Sequence, residues 1–340
     1  MLGTGALSLP QRLSSMGYGQ AFFPLFLGLI ASISLWPMVW INSKYESKNL
    51  FEINEILLGK WLGKCINFLI VAQFTVFTST LIIHYMDLIQ STALHEKTMT
   101  WPVILFLLLL AYIVSGDIKF IARFCVMVFF LTLPLYLLLR WGIQKGEISH
   151  VFPLFNYNWH EFFSALKKGY SSFLGYELIM IFFPYIASPK KAYKHALIGI
   201  WISVTFFFVT VLVSVMYYSE WQLKNVEYSV LHLFKAGEIA FISRIDIFGI
   251  TLWVFLILST VAGYLWSAKK GLDSVRSKHK NYHIYLLVIA IFIIIILPVS
   301  SENRERISVS VHYSAYLLVV WPMILGVLHL LRKKLKVRQQ

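Results

Sequence analysis

Charge is scarce in this chain. Only 14% of its 340 residues are Asp, Glu, Lys or Arg, against 58% hydrophobic residues, and the mean hydropathy is +0.71. A soluble domain of this length needs far more charged surface. Cysteine is nearly absent as well: Cys65 and Cys125 both sit in or beside apolar runs, which excludes a disulfide framework. Met1 to Pro10 has no basic n-region and too short an apolar stretch for a cleavable signal peptide. There is no nucleophile motif, Walker loop or dinucleotide fingerprint, so the sequence offers no enzymatic chemistry and no cofactor.

What is present is a series of apolar runs. Nine candidate spans fall at Ala21–Ile41, Cys65–Met86, Trp101–Val114, Phe120–Leu139, Phe162–Ile186, Ala196–Tyr218, Ile245–Ser267, Ile284–Val299 and Val311–Leu331. Several are short for a hydrocarbon core of about 30 Å. Leu2 to Pro10 forms a tenth, partial element. At about 1.5 Å per residue it reaches half a bilayer, so the chain is expected to begin inside a helix whose first half is missing. The fold class is an all-α integral membrane protein of about ten transmembrane helices.

The formal charge of +14 does not indicate nucleic acid. Its densest patches, Lys269-Lys270 with Arg276, Lys278 and Lys280, and Arg332-Lys333-Lys334 with Lys336 and Arg338, follow hydrophobic spans directly. Such placement reflects the positive-inside bias and attraction to anionic lipid. With the amino end inside, 19 of the 30 Lys and Arg fall in inner loops or the tail, which puts both termini in the cytoplasm.

Asn49-Leu50-Phe51-Glu52 is a capping box. Leu50, Ile53, Leu57 and Trp61 follow at helical spacing and predict a short amphipathic helix on the inner membrane surface. The connector Tyr218–Arg244, with Glu220, Lys224, Glu227, Lys235 and Glu238, reads as a polar outer rim. His84 and Asp87 lie three apart near the end of their span. Without a third ligand at suitable spacing they read as a surface pair and not as a metal site.

One carboxylate stands in an apolar stretch. Glu177, in Phe173-Leu174-Gly175-Tyr176-Glu177, belongs to a run long enough to cross a bilayer, where ionisable groups are costly and face a cavity or a partner. Gly175 two residues before it and Pro184 seven after point to an interrupted helix. At the front of the chain, Gly3-Thr4-Gly5 precedes Pro10 in the same way. Paired interruptions at corresponding positions of two halves are the mark of an inverted-repeat transporter fold, and the backbone groups freed there can bind a zwitterion.

Leu2-Gly3-Thr4-Gly5…Leu9-Pro10, Leu58-Gly59-Lys60-Trp61-Leu62-Gly63-Lys64, Phe173-Leu174-Gly175-Tyr176-Glu177 and Ser188-Pro189-Lys190-Lys191 together resemble the B subunits of GerA-type spore germinant receptors. These are members of the amino acid–polyamine–organocation (APC) superfamily, and the similarity runs over essentially the whole chain. The resemblance implies a LeuT-like core of 5+5 inverted repeats, 1–140 and 160–331, followed by a basic cytoplasmic tail, 332–340. It implies a small amino-acid-like nutrient held between helices one, three, six and eight. Gly3, Thr4 and Gly5 would supply unwound backbone there, Leu174, Gly175 and Tyr176 the second break, Thr260 and Tyr264 a face of helix eight, and Phe77 the side-chain end of the pocket.

Each of these residues also has an ordinary reading. Glu177 and Pro184 shape the broken helix, with the acid capping it in preference to touching ligand. Thr260 bonds back to its own helix, Tyr264 and Phe77 pack, and Gly3 and Gly5 permit close helix contact. The function expected from the resemblance is a nutrient-sensing membrane subunit of a spore germinant receptor in the spore inner membrane, partnered by a large A-type membrane subunit and a C-type lipoprotein. The alternative is an autonomous amino acid permease. Membrane lipid is the other expected partner; nucleic acid is not.

Overall fold

The computed structural model describes the chain apart from residues 1, 2, 4, 46–47, 95–97, 154–155, 236, 238–244, 277–280 and 338–340. Leu2, Thr4, Glu238, Arg244, Lys278, Lys280 and Arg338, all used above, therefore lie outside the described residues.

Among the described residues every element is helical. In chain order they are α1 (Gly5–Arg12), α2 (Phe23–Lys44), α3 (Leu50–Leu58), α4 (Lys60–Thr92), α5 (Thr100–Ser115), α6 (Ile118–Thr132) and α7 (Arg140–Lys145). There follow α8 (Trp159–Gly169), α9 (Ile179–Phe182), α10 (Ala192–Tyr217), α11 (Glu220–Asn225), α12 (Ser229–Lys235), α13 (Ile245–Arg276), α14 (Tyr282–Ile296) and α15 (Ser301–Val337). Turns of 3-10 helix join several of them, at Ser14–Phe22, Leu133–Leu139 and Tyr170–Phe173 among others.

Six helical stretches are long and apolar enough to cross a membrane: Ser14–Lys44, Lys60–Thr92, Ile118–Lys145, Pro189–Tyr217, Ile245–Arg276 and Glu302–Arg332. Of the other expected spans, Trp101–Val114 and Ile284–Val299 become helices of 16 and 15 residues. Phe162–Ile186 is broken into short pieces. Large apolar side chains such as Trp36, Leu105, Leu108, Phe130 and Leu137 face outward, where lipid accepts them. Interior hydroxyls are spent locally: Thr75, Thr78, Ser79 and Thr80 of α4 each donate to the carbonyl four residues back.

Helix α4 packs along α13, α2 along α10, and α1 against the 3-10 turn Tyr170–Phe173. These contacts put the first helix beside the rear interruption at the centre of the bundle.

Two expectations about the periphery change. The capping box is formed: Asn49 Oδ1 accepts from Glu52 N at 3.1 Å and Glu52 Oε2 from Asn49 N at 3.0 Å. Yet the stripe Leu50, Ile53 and Leu57 is buried against α4 and not laid on the membrane. Asn54 Nδ2 donates to Asn67 Oδ1 at 2.8 Å, with both side chains wholly buried. Gly59, at φ 87°, breaks the helix before Trp61, so Trp61 starts α4 and is exposed. The spacing ran on, but the chain had turned.

The connector after α10 keeps Glu220, Lys224, Glu227 and Lys235 exposed, as a polar rim would, but it is not polar throughout. It folds into α11 and α12, and Leu223, Val230, Leu231, Leu233 and Phe234 are buried. Helix α12 packs on both α1 and α13.

Candidate functional site

The rear interruption follows from local chemistry. An Asn158–Glu161 capping box starts α8, which ends in the 3-10 turn at Phe173. Leu174 is extended (φ −60°, ψ 150°), and Gly175 sits at φ 125°, ψ −23°, a conformation that disfavours any side chain. The helix restarts at Tyr176, and Pro184 lies in the 3-10 turn Phe183–Tyr185 that closes the segment. The break is therefore at Leu174–Gly175, and the proline terminates the second half.

Glu177 fastens this break. Gly175 N–H donates to Glu177 Oε2 at 2.6 Å and Tyr264 Oη–H donates to Oε1 at 2.6 Å. Both carboxylate oxygens are engaged and the residue is 4% exposed. The acid ties the restart of the broken helix to α13, which is the capping role read from the sequence. The Tyr264 bond was not foreseen.

Six of the expected site residues meet at one small cavity. Gly3, Gly5, Phe77, Leu174, Thr260 and Tyr264 line it, together with Arg12, Leu81, Ser171, Ser172 and His312. The residues come from α1, α4, α13, α15 and the two breaks, although they are up to 309 positions apart in sequence (Gly3 to His312). Phe77 packs on Tyr264 at 4.7 Å between ring centroids and on His312 at 5.7 Å. Thr260 Oγ1 donates to Leu256 O at 2.9 Å, so its hydrogen is committed to its own helix while its lone pairs stay free to accept.

The two front glycines differ. A Cβ on Gly5 would lie 2.8 Å from Ser172 Cβ, so Gly5 allows the first helix to touch the rear break. A Cβ on Gly3 would meet only Thr260, at 3.8 Å, and would point into space. Thr4 lies outside the described residues. Gly175 and Tyr176 do not line this cavity. They border another of about 440 Å³ with Ala31, Phe182 and Phe207, and Tyr176 Oη bonds Ser34 Oγ at 2.6 Å and the Tyr170 hydroxyl.

The central cavity measures about 30 Å³, the share of one water molecule in the liquid. An amino-acid-sized guest would need the walls of this cavity to part. Beside it a cavity of about 690 Å³ is lined by His84, Asp87, Glu227, Tyr228, Arg304 and Ser308 among others. His84 Nε2 bonds Ser308 Oγ at 2.9 Å. Asp87 is exposed and His84 half-buried, so the pair lines a cleft that reaches the surface, and the connector contributes Glu227 to it.

Sequence reasoning missed Arg12, Leu81, Ser171, Ser172 and His312. Arg12 follows Pro10 by two residues and was passed over as the end of a short element. Ser171 and Ser172 lie just before the expected interruption and carry no mark of their own. The available signal was a cation beside a proline-containing interrupted helix, with no acid near it in sequence.

Fold and site together define a multi-pass helical membrane protein with a small pocket between its first helix and a helix interruption. Residues 1–305 match the family model described as spore germination protein (Spore_permease), and the chain belongs to that family. It is 24% identical over 335 residues to spore germination protein GerQB of Bacillus cereus, covering 94% of this chain and 91% of that one. Spore germination protein B2 of Bacillus subtilis (strain 168) is 24% identical over 342 residues, 98% and 93% of the two chains. Spore germination protein A2 of the same strain is 23% identical over 327 residues, 94% and 88%. Its role belongs to spore germination.

Proposed function

We propose that the chain is the nutrient-sensing membrane subunit of a spore germinant receptor, holding a small amino-acid-like molecule at the central cavity. The observation that supports this reading is that six of the residues expected from the resemblance line one cavity. A pocket of about 30 Å³ must expand to admit its ligand, so binding favours a second arrangement of the breaks. A ligand shifts such an equilibrium only through its difference in affinity for the two states. That shift is the signal passed to a large A-type membrane subunit and a C-type lipoprotein in the spore inner membrane. The role is binding and not catalysis.

The same reading takes the architecture as LeuT-like, with repeats 1–140 and 160–331 and both termini in the cytoplasm. It is supported by the pairing of spans five apart: α2 with α10, α4 with α13, and the first break with the sixth. Elements close to a two-fold axis in the membrane plane contact their repeat mates in this way.

An autonomous permease is the second reading, favoured by the 690 Å³ cavity beside the pocket, which would serve as an access path. Two measurements separate them. Spores lacking the chain should lose response to its nutrient, and Gly175→Ala and Tyr264→Ala spores should respond poorly at limiting nutrient. Proteoliposomes containing the chain should not accumulate labelled amino acids. Uptake together with normal germination of both variants would replace the sensor with the permease.

A further inference from the structure

We infer that Arg12 anchors the carboxylate of the pocket's ligand, so that the protein responds to small molecules carrying a carboxylate and not to their neutral-headed analogues. This deepens the nutrient-site reading above and rests on it.

Arg12 ends α1 with its guanidinium at the cavity wall. Nη1 donates to Ser171 Oγ at 2.5 Å and Nε to Ser8 Oγ at 3.1 Å. A guanidinium has five N–H donors, so capacity remains. No acid lines the cavity, and no carboxylate lies within 4.0 Å of Arg12 among the described residues. Glu227 acts on it only from longer range. Two histidines, His84 and His312, are also within electrostatic reach, and His312 lines the same cavity.

Elsewhere the protein pairs its buried charge. Asp273 receives Lys269 Nζ at 2.7 Å and His283 Nδ1 at 2.6 Å, while Glu177 accepts two hydrogen bonds. A cation left without an acid at membrane depth is costly. Placement at the C-terminal end of α1 offsets part of that cost, but it gives no reason to line a cavity.

A second orphan faces the same space. Ser172 Oγ is buried, lines the cavity and has no hydrogen-bond partner. A guanidinium fork and a serine hydroxyl are donors suited to the two oxygens of one carboxylate. Glu177 is not its competitor: it does not line the cavity and makes no ion pair with Arg12. Ligand entry would move Ser171 aside and exchange its oxygen for the ligand's at Nη1.

The test uses the full chain in lipid nanodiscs and reads the thermal unfolding midpoint with each of the common L-amino acids and with the matching primary amides. At least one free acid should raise the midpoint of the wild-type protein. Its amide should bind about 30-fold more weakly or worse, the usual effect of removing one partner of an enclosed charge pair. Arg12→Gln should lose the response to the acid and Arg12→Lys should keep part of it. An amide that stabilises as well as its acid overturns the inference while leaving the nutrient site in place, as does an undiminished response in Arg12→Gln. If no acid stabilises the wild type, the nutrient-site reading falls and the inference falls with it. Should Arg12→Gln fail to fold, the comparison of acid with amide on the wild type decides alone.

Discussion

The rear break and the first helix, which meet at the centre of the bundle, handle their charged groups in opposite ways. The rear break is closed on itself: Glu177 takes the Gly175 N–H on one carboxylate oxygen and the Tyr264 hydroxyl on the other. The first helix, α1, ends in an arginine with donors to spare, beside an unpartnered serine hydroxyl in the same cavity. The more conspicuous charge in the sequence is therefore a fastening, and the less conspicuous one is free to act. A buried ionisable group signals function in a membrane protein, but its unused bonding capacity shows whether that function concerns ligand or framework.

The largest expected effect comes from breaking the fastening. Glu177→Ala strands a buried tyrosine hydroxyl and a glycine N–H and should cost about 2–4 kcal/mol, seen as lower membrane abundance and an earlier unfolding midpoint. Glu177→Gln keeps an acceptor and should lose much less; equal losses in the two variants would remove the fastening role. Next comes Gly5→Ala, whose new methyl collides with Ser172. Forcing the first helix away from the rear break should cost about 1–3 kcal/mol, measured by the same melt.

Tyr264→Phe deletes one hydrogen bond to the carboxylate and leaves the ring packing on Phe74 and Phe77. A loss of about 1.5 kcal/mol is expected. The smallest effect on stability is Ser172→Ala, because its hydroxyl bonds nothing in the folded protein. A midpoint within about 0.5 kcal/mol of wild type would fit an interruption kept open for a guest, whereas a large loss would mean that the hydroxyl is already used.

Much of this arrangement could be read from the residues. Composition gave the membrane class, and hydrophobic runs placed the long helices to within a turn or so at many ends. Gly175 and Glu177 located the rear break because a left-handed glycine and an apolar-flanked acid both leave local marks. Local marks could not show which partner a side chain finds across the bundle. Hence Tyr264 was read as a pocket residue without its bond to Glu177, and Tyr176 as ligand-facing although its hydroxyl turns to Ser34. Trp61 was drawn onto the preceding helix because periodicity does not register the single positive φ at Gly59. Arg12 and Ser172 carry no pattern of their own, and only their meeting across 160 positions gives them meaning.

Gly3→Ala tests the central claim most directly. Its methyl would meet only Thr260 at ordinary contact distance, so the protein should fold and reach normal abundance, yet the methyl would intrude on a cavity of about 30 Å³. The measurement is the nutrient concentration giving half-maximal germination of spores carrying this variant. A rise of about tenfold, equivalent to about 1.4 kcal/mol of lost binding, is predicted at unchanged protein level. An unchanged concentration at that level would mean that the pocket between the two breaks is not where the nutrient acts.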